Sequence, residues 1–210
     1  MIHAMYVPAH FAMDSEEAWR SVSTIGLGHV ITVDGGVPSA TLLPLHVRGD
    51  GATRSIVAHF ARGNPQWRSI ADGGSVLVVV TGPEAYVSPR WYPSKIDHGK
   101  VVPTWNYVEV QIRGRIRLIH DGEALGEIVR DLTDQFEVGA EQPWMVDDAP
   151  ADFIEAQLRA IVGVEITVDT ITGKAKLSQN RADADRLGAR SGLLGAAGQG
   201  PAVAALMSED

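Results

Sequence analysis

Cysteine is absent from the 210-residue chain, which removes disulfides, thiolate nucleophiles, iron–sulfur ligation and cysteine-type zinc sites together. The same absence fits a reducing compartment, so a cytoplasmic protein is expected. Positive charge is scarce: 18 Lys and Arg stand against 26 Asp and Glu, a net charge of −8. That balance repels a phosphate backbone and disfavours a broad nucleic-acid footprint. Long apolar runs are missing too. The longest, Val76 to Val80, is far short of a membrane span, and the N-terminus carries neither the basic stretch nor the apolar stretch of a targeting segment. No G-x-G-x-x-G follows a strand pattern, and no Walker loop, G-x-S-x-G elbow or H-E-x-x-H occurs. The seven His are scattered with none paired at ligand spacing, so no metal site is expected. The chain is 45% apolar and 21% charged, an ordinary globular balance. We expect one domain over residues 1–195 and a flexible, frayed tail over 196–210, where the composition falls to Ala, Gly and small polar residues.

The patterning is mainly β. Asp14 with Glu17 three residues on predicts a capped helix from about Ser15 to Val22. Gly28 to Val47 reads as two β-rich runs around Asp34-Gly35-Gly36, a hairpin signal because those residues tolerate positive φ. A second hairpin at Gly49-Asp50-Gly51 leads into the run Ser55 to Phe60. Asn64-Pro65 starts a helix closed by Gly73-Gly74, Val76 to Val80 is a buried strand broken at Gly82-Pro83, and Ala85 to Ser88 resumes it. Pro89 to Pro103 is a proline-stiffened loop, and Thr104 to His120 is the longest strand pattern. Asp121 caps a helix to about Phe136, a second helix covers Ala151 to Ala160, and Ile161 to Ile171 is a last strand. Hairpin connections without regular β-helix-β crossovers predict an antiparallel barrel of the α+β class.

Several constellations carry chemistry, each beside a plainer reading. In VAHFARGNPQW, His59, Arg62 and Asn64 stand where a strand meets a helix start, a place for an anion; otherwise Arg62 is solvated and Asn64 only caps. In YVSPRWYPSK, large aromatics beside Lys95 suit one wall of a planar-ligand slot, or a lid on the core. Thr104, Trp105, Asn106 and Tyr107 open the long strand, with Thr104 and Asn106 on one face as donors for a ring edge or as a cross-strand pair. Arg113, Arg115 and Arg117 share a face at period two, a solvated stripe or an anion-binding one. In GKAKLSQNR, Lys174 and Lys176 alternate with Ser178, and Gln179, Asn180 and Arg181 follow, a density of donors that favours an anionic ligand over a solvated turn.

The set MYVPAHF, HFARGNPQW, GPEAYVSPRWYPSK, VPTWNY, PW, AIVGVEI and GKAKLSQNR, running in order from about Met5 to Leu194, resembles the PaiB family, described as FMN-binding negative transcriptional regulators. The resemblance implies a pyridoxamine-phosphate-oxidase-type split β-barrel, a six-stranded Greek-key fold that dimerises and holds FMN in clefts between its two subunits. It would place His59, Arg62 and Asn64 near the FMN phosphate or ribityl chain and Thr104, Trp105 and Asn106 near the ring, with Lys95, Lys176, Ser178, Gln179 and Asn180 completing the site. A flavin phosphate carries close to two negative charges and calls for charge-assisted donors. Two positions depart from the family pattern, Leu42 and Gln111, where His is usual. The implied function is flavin-dependent redox chemistry on a small molecule, or a flavin-binding sensor or repressor without turnover; no catalytic residue is assigned. With no helix-turn-helix and only a three-arginine stripe, direct DNA binding is not expected.

Overall fold

The computed structural model describes residues 5–207. Its strands are β1 (Ala12–Met13), β2 (Leu27–Asp34), β3 (Val37–Pro44), β4 (His46–Arg48), β5 (Ser55–Ala61), β6 (Gly74–Val87), β7 (Thr104–Ile119) and β8 (Ile161–Lys176). They form one sheet in the order β3-β2-β6-β7-β8-β5-β4, with β1 also paired to β8. The registered pairs β2·β3, β2·β6, β4·β5, β5·β8 and β1·β8 are all antiparallel. The helices are α1 (Ser15–Ile25), α2 (Ser94–Asp97), α3 (Gly122–Glu137), α4 (Ala151–Arg159), α5 (Asp183–Leu194) and α6 (Gly200–Leu206). The fold is thus α+β and antiparallel, as the patterning predicts. Among the described residues no helix is long and apolar enough to cross a membrane.

Caps fall where the sequence puts them. Asp14 and Glu17 form a reciprocal box, the Asp14 amide donating to Glu17 Oε2 at 2.9 Å and the Glu17 amide to Asp14 Oδ1 at 2.7 Å. Asp121 accepts from the Ala124 amide at 2.9 Å to start α3. The turn after β2 holds Gly35 at φ 55° and Gly36 at φ 86°, the left-handed values that glycine tolerates.

Three expectations are corrected. Gly82-Pro83 does not break the strand; β6 is continuous, because proline's fixed φ lies within the extended region and the register of β6 with β2, at Leu77–Val79, stops short of Pro83. Asn64-Pro65 opens a short 3-10 helix, Pro65–Ser69, in place of two α-turns. The segment expected to fray carries α6, in which Val203 and Ala204 are fully buried.

The chain divides into two compact units. The first comprises residues up to Ser21, Thr81–Val110 and those from Thr172. Its core is Ala85, Val87, Tyr92, Leu177, Ala189, Leu193, Val203, Ala204 and Met207. The second comprises Val22–Val80 and Gln111–Ile171. There Val57, Ile119, Leu125, Ile128 and Leu132 form a cluster, with the α3 residues at spacing i, i+3, i+7. Gly163 on β8 leaves room for them: a Cβ there would come within 2.8 Å of Leu125. Arg48 on β4 ties α3 down through Asp131, its Nε donating at 2.6 Å.

Candidate functional site

In the first unit the start of β7 meets the end of β8. Lys176 donates from Nζ to Thr104 Oγ1 at 2.5 Å and to the Trp105 carbonyl. Its ammonium also lies 6.0 Å from the ring centres of both Phe11 and Tyr107. Lys174 stands over the same Tyr107 ring at 5.2 Å, and the Arg181 guanidinium lies 4.9 Å from the centre of Tyr92. Burial, with the neighbouring charges of Lys174 and Arg181, holds the Lys176 ammonium below the ordinary lysine pKa. Among the described residues none of these cations is ion-paired. Three positive charges are thus gathered with no carboxylate at ion-pair distance among the described residues.

The other residues expected here have different duties. Asn106 is fully buried, accepting from Ser178 Oγ at 3.1 Å and donating to Met207 Sδ at 3.6 Å. Ser178 has φ 68°, a left-handed value that few non-glycine residues adopt. Gln179 folds back on its own loop, accepting from the Leu177 amide and donating to the Ala175 carbonyl, both at 2.7 Å. These three shape the turn that presents Lys176 and Arg181. Lys95 is exposed on α2, and Asn180 is exposed.

In the second unit, His59 lies half-buried on β5, its Nδ1 has no hydrogen-bond partner among the described residues, and burial lowers its pKa. Arg62 is committed to backbone: Nε donates to the Arg159 carbonyl at 2.6 Å and Nη2 to the Ile161 carbonyl at 2.7 Å. Asn64 accepts from the Gln66 amide at 2.9 Å and donates to Thr41 Oγ1 at 2.8 Å. Arg62 therefore joins the end of α4 to the start of β8, and Asn64 caps the 3-10 helix. Gln66, which the sequence reading passes over, is 7% exposed and donates to the Val30 carbonyl at 3.0 Å, anchoring the β2–β3 hairpin. Leu42 is exposed on β3 opposite His29, and Gln111 is half-buried on β7.

Sequence reasoning finds Lys176 and its aromatic surroundings only in part. Lys174 is legible from the period-two alternation, but Phe11 has no such signal. It also misses a cleft of about 550 Å³ lined by Tyr86, Arg90, Trp91 and Trp105 together with Gly192 and residues 195–199. Tyr86 and Trp91 come from the motif expected to wall a planar ligand, whereas Tyr92 of that motif is buried in the core and Lys95 does not line the cleft; residues 196–199 of the lining fall in the segment expected to fray.

A family model described as a putative FMN-binding domain matches residues 5–170. The chain is 37% identical over 182 residues to the protease synthase and sporulation protein PAI 2 of Bacillus subtilis, covering 86% of this chain and 85% of that protein. It is 35% identical over 161 residues to an uncharacterised protein of Emericella nidulans, covering 64% of each. Among solved structures it resembles the flavocytochrome Anf3 of Azotobacter vinelandii, with TM-score 0.58, 18% identity, and coverage of 81% of this chain and 72% of that one. An FAD- and heme-binding protein of Mycobacterium smegmatis gives TM-score 0.58 at 23% identity, covering 82% and 76%. At these identities the structural likeness speaks for the fold, which is the α+β split barrel that the motif resemblance implies. The chain belongs to the putative FMN-binding domain family, the PaiB family whose motifs it carries from Met5 onward.

Proposed function

We propose that this protein binds FMN and uses it for redox chemistry on a small molecule, with the cofactor's phosphate held by Lys174, Lys176 and Arg181. The observation that carries the reading is the unpaired positive charge around Lys176. The donor set fits the group: a lysine has three N–H donors, and Lys176 spends two on Thr104 and Trp105, leaving the third for an anion whose position those two bonds fix. Tyr107 and Phe11 keep water from part of the cluster, which strengthens charge-assisted bonds there. When bound, FMN would supply electron or hydride transfer, and the protein's share is binding, orientation and electrostatics. Thr104 and the Trp105 carbonyl are proposed to act at the phosphate end, by holding Lys176 in place. Asn106, Ser178 and Gln179 are proposed to support the site by shaping the turn that carries Lys176, with Lys95 and Asn180 at its exposed rim; His59, Arg62 and Asn64 keep their places in the second unit.

Titration with FMN and with riboflavin tests this. FMN is expected to raise the melting temperature and give a bound-flavin spectrum, and riboflavin, lacking the phosphate, to bind at least tenfold more weakly. Removing any one of the three cations is expected to weaken FMN by about 10- to 100-fold, the worth of a hydrogen bond to a charged group. No shift with FMN would sink the proposal. Anaerobic reduction of the bound flavin, then reoxidation by small-molecule acceptors, separates an enzyme from a sensor without turnover. We extend the proposal to a homodimer, supported by the exposed apolar Val33, Val37 and Leu42 of the β2–β3 hairpin and read by light scattering.

A further inference from the structure

The cleft beside Trp91 is not explained by the cation cluster. It lies wholly within the first unit, and its volume of about 550 Å³ falls in the range of small-molecule sites. Trp105 and Tyr86 present their rings to it at 52% and 46% exposure, meeting edge to face at 6.1 Å. Trp91 is held as the third ring by α5: a Cβ on Gly192 would fall 2.2 Å from a Trp91 ring carbon, and one on Gly188 would fall 2.1 Å from its carbonyl oxygen. Those two glycines fix an indole where a ligand can reach it. A run of small residues, Gly195 to Gly198, forms another part of the wall, and its short side chains leave room for a flat molecule. Gln199 pins that wall by accepting from the Glu84 amide at 3.1 Å.

The charges in the cleft narrow the ligand. Arg90 is exposed, lies 6.0 Å from the centre of Trp91, and among the described residues has no carboxylate partner. Glu84 lines the same cleft with its carboxylate also unpaired. One guanidinium offset by one carboxylate suits a single negative charge and opposes a dianion. We infer that this cleft is a second ligand site that takes a planar aromatic monoanion, such as an aromatic carboxylate, stacked among Tyr86, Trp91 and Trp105 with its charge on Arg90. The residues that close it, from Gly192 onward, lie outside the stretch matched by the family model. The site goes beyond the flavin reading and does not depend on it.

Saturation-transfer NMR and calorimetry on the full chain test the inference, with 2-naphthoate as probe. Cyclohexanecarboxylate, which keeps the charge and loses the flat ring, and 2-naphthalenemethanol, which keeps the ring and loses the charge, are the controls. Naphthoate is expected to bind about tenfold or more tightly than either, since stacking and a charge-assisted bond each contribute on that scale. Arg90→Gln is expected to weaken naphthoate by about tenfold while leaving the alcohol unchanged. Glu84→Gln is expected to tighten it by a few-fold, about what an exposed like charge costs. Arg90 and Glu84 are both exposed, so neither variant endangers the fold. Equal binding of naphthoate and cyclohexanecarboxylate would overturn the site, as would an Arg90→Gln variant without effect. Competition by FMN would also overturn it, by showing that the cleft is the flavin's own slot. Naphthoate binding to a protein that FMN fails to shift leaves this site standing and removes the flavin proposal alone.

Discussion

At the scale of the residue, Lys176 ties local chemistry to function. Its pKa lies below the ordinary value of 10.5 because burial and two neighbouring cations disfavour its charge. The sign follows from linkage: between the lowered folded value and the unfolded one the unfolded chain binds more protons, so the penalty is present below the folded pKa and is relieved as pH rises through it. A bound phosphate reverses the cause and restores the proton. FMN binding at a pH just above the folded pKa is therefore expected to take up protons, read as a dependence of the calorimetric heat on the buffer's ionisation enthalpy. Lys176→Met keeps an unbranched stem and removes the repulsion from Lys174 and Arg181. The apo protein is expected to lose no more than about 1 kcal/mol, the net worth of its ordinary hydrogen bonds, while FMN affinity drops by about 10- to 100-fold. A folded but markedly destabilised variant that binds FMN as tightly as the wild type would make Lys176 a structural residue. Lys176 was legible because a cluster of donors without acids is visible in the sequence. The duties of Ser178, Gln179 and Asn106 were not, since those depend on a left-handed turn and on Met207, which is distant in sequence.

At the scale of the element, strands and capped helices were legible because their signals are local. The hairpin around Gly35-Gly36 and the Asp121 cap need only neighbours within a few residues. Helix α6 was not, because its run of Ala and Gly has the composition of a tail, and its stability comes from packing into the core around Tyr92. Here small residues are contact surfaces. A Cβ at Gly192 would displace the Trp91 ring, so Gly192→Ala is expected to cost about 1–3 kcal/mol, the usual penalty for overpacking. Met207, 3% exposed just after α6, is expected to cost about 2–5 kcal/mol when replaced by Ala. Urea unfolding reads both; a wild-type midpoint for Met207→Ala would show that the Met207 side chain contributes nothing to the core.

At the scale of the whole molecule, the charge count and the fate of the arginine stripe bear on the same question. A net charge of −8 opposes a nucleic-acid partner unless basic residues are concentrated and free. Arg115 and Arg117 are not free. The first pairs with Asp169 at 3.5 Å and donates to Ser75 Oγ at 3.1 Å; the second donates to Glu165 through Nε at 2.8 Å and through Nη2 at 2.5 Å. Arg113 on the same strand is also engaged. Spacing alone shows the stripe, but the carboxylates that neutralise it arrive from β8, about fifty residues further on, and only pairing of the strands reveals them. Exposed pairs of this kind add little stability, yet they cancel the field a phosphate backbone would feel. The expectation is that a short DNA duplex binds at physiological salt no more tightly than roughly 10⁻⁴ M, the weak end of non-specific affinity, with no sequence preference. Fluorescence anisotropy over a salt series measures this. Glu165→Gln with Asp169→Asn brings the net charge from −8 to −6 and releases both arginines, so it is expected to bind measurably and with a steeper salt dependence. A wild-type protein that prefers one duplex over random sequence would mean that regulation acts by direct contact, through a surface other than this stripe.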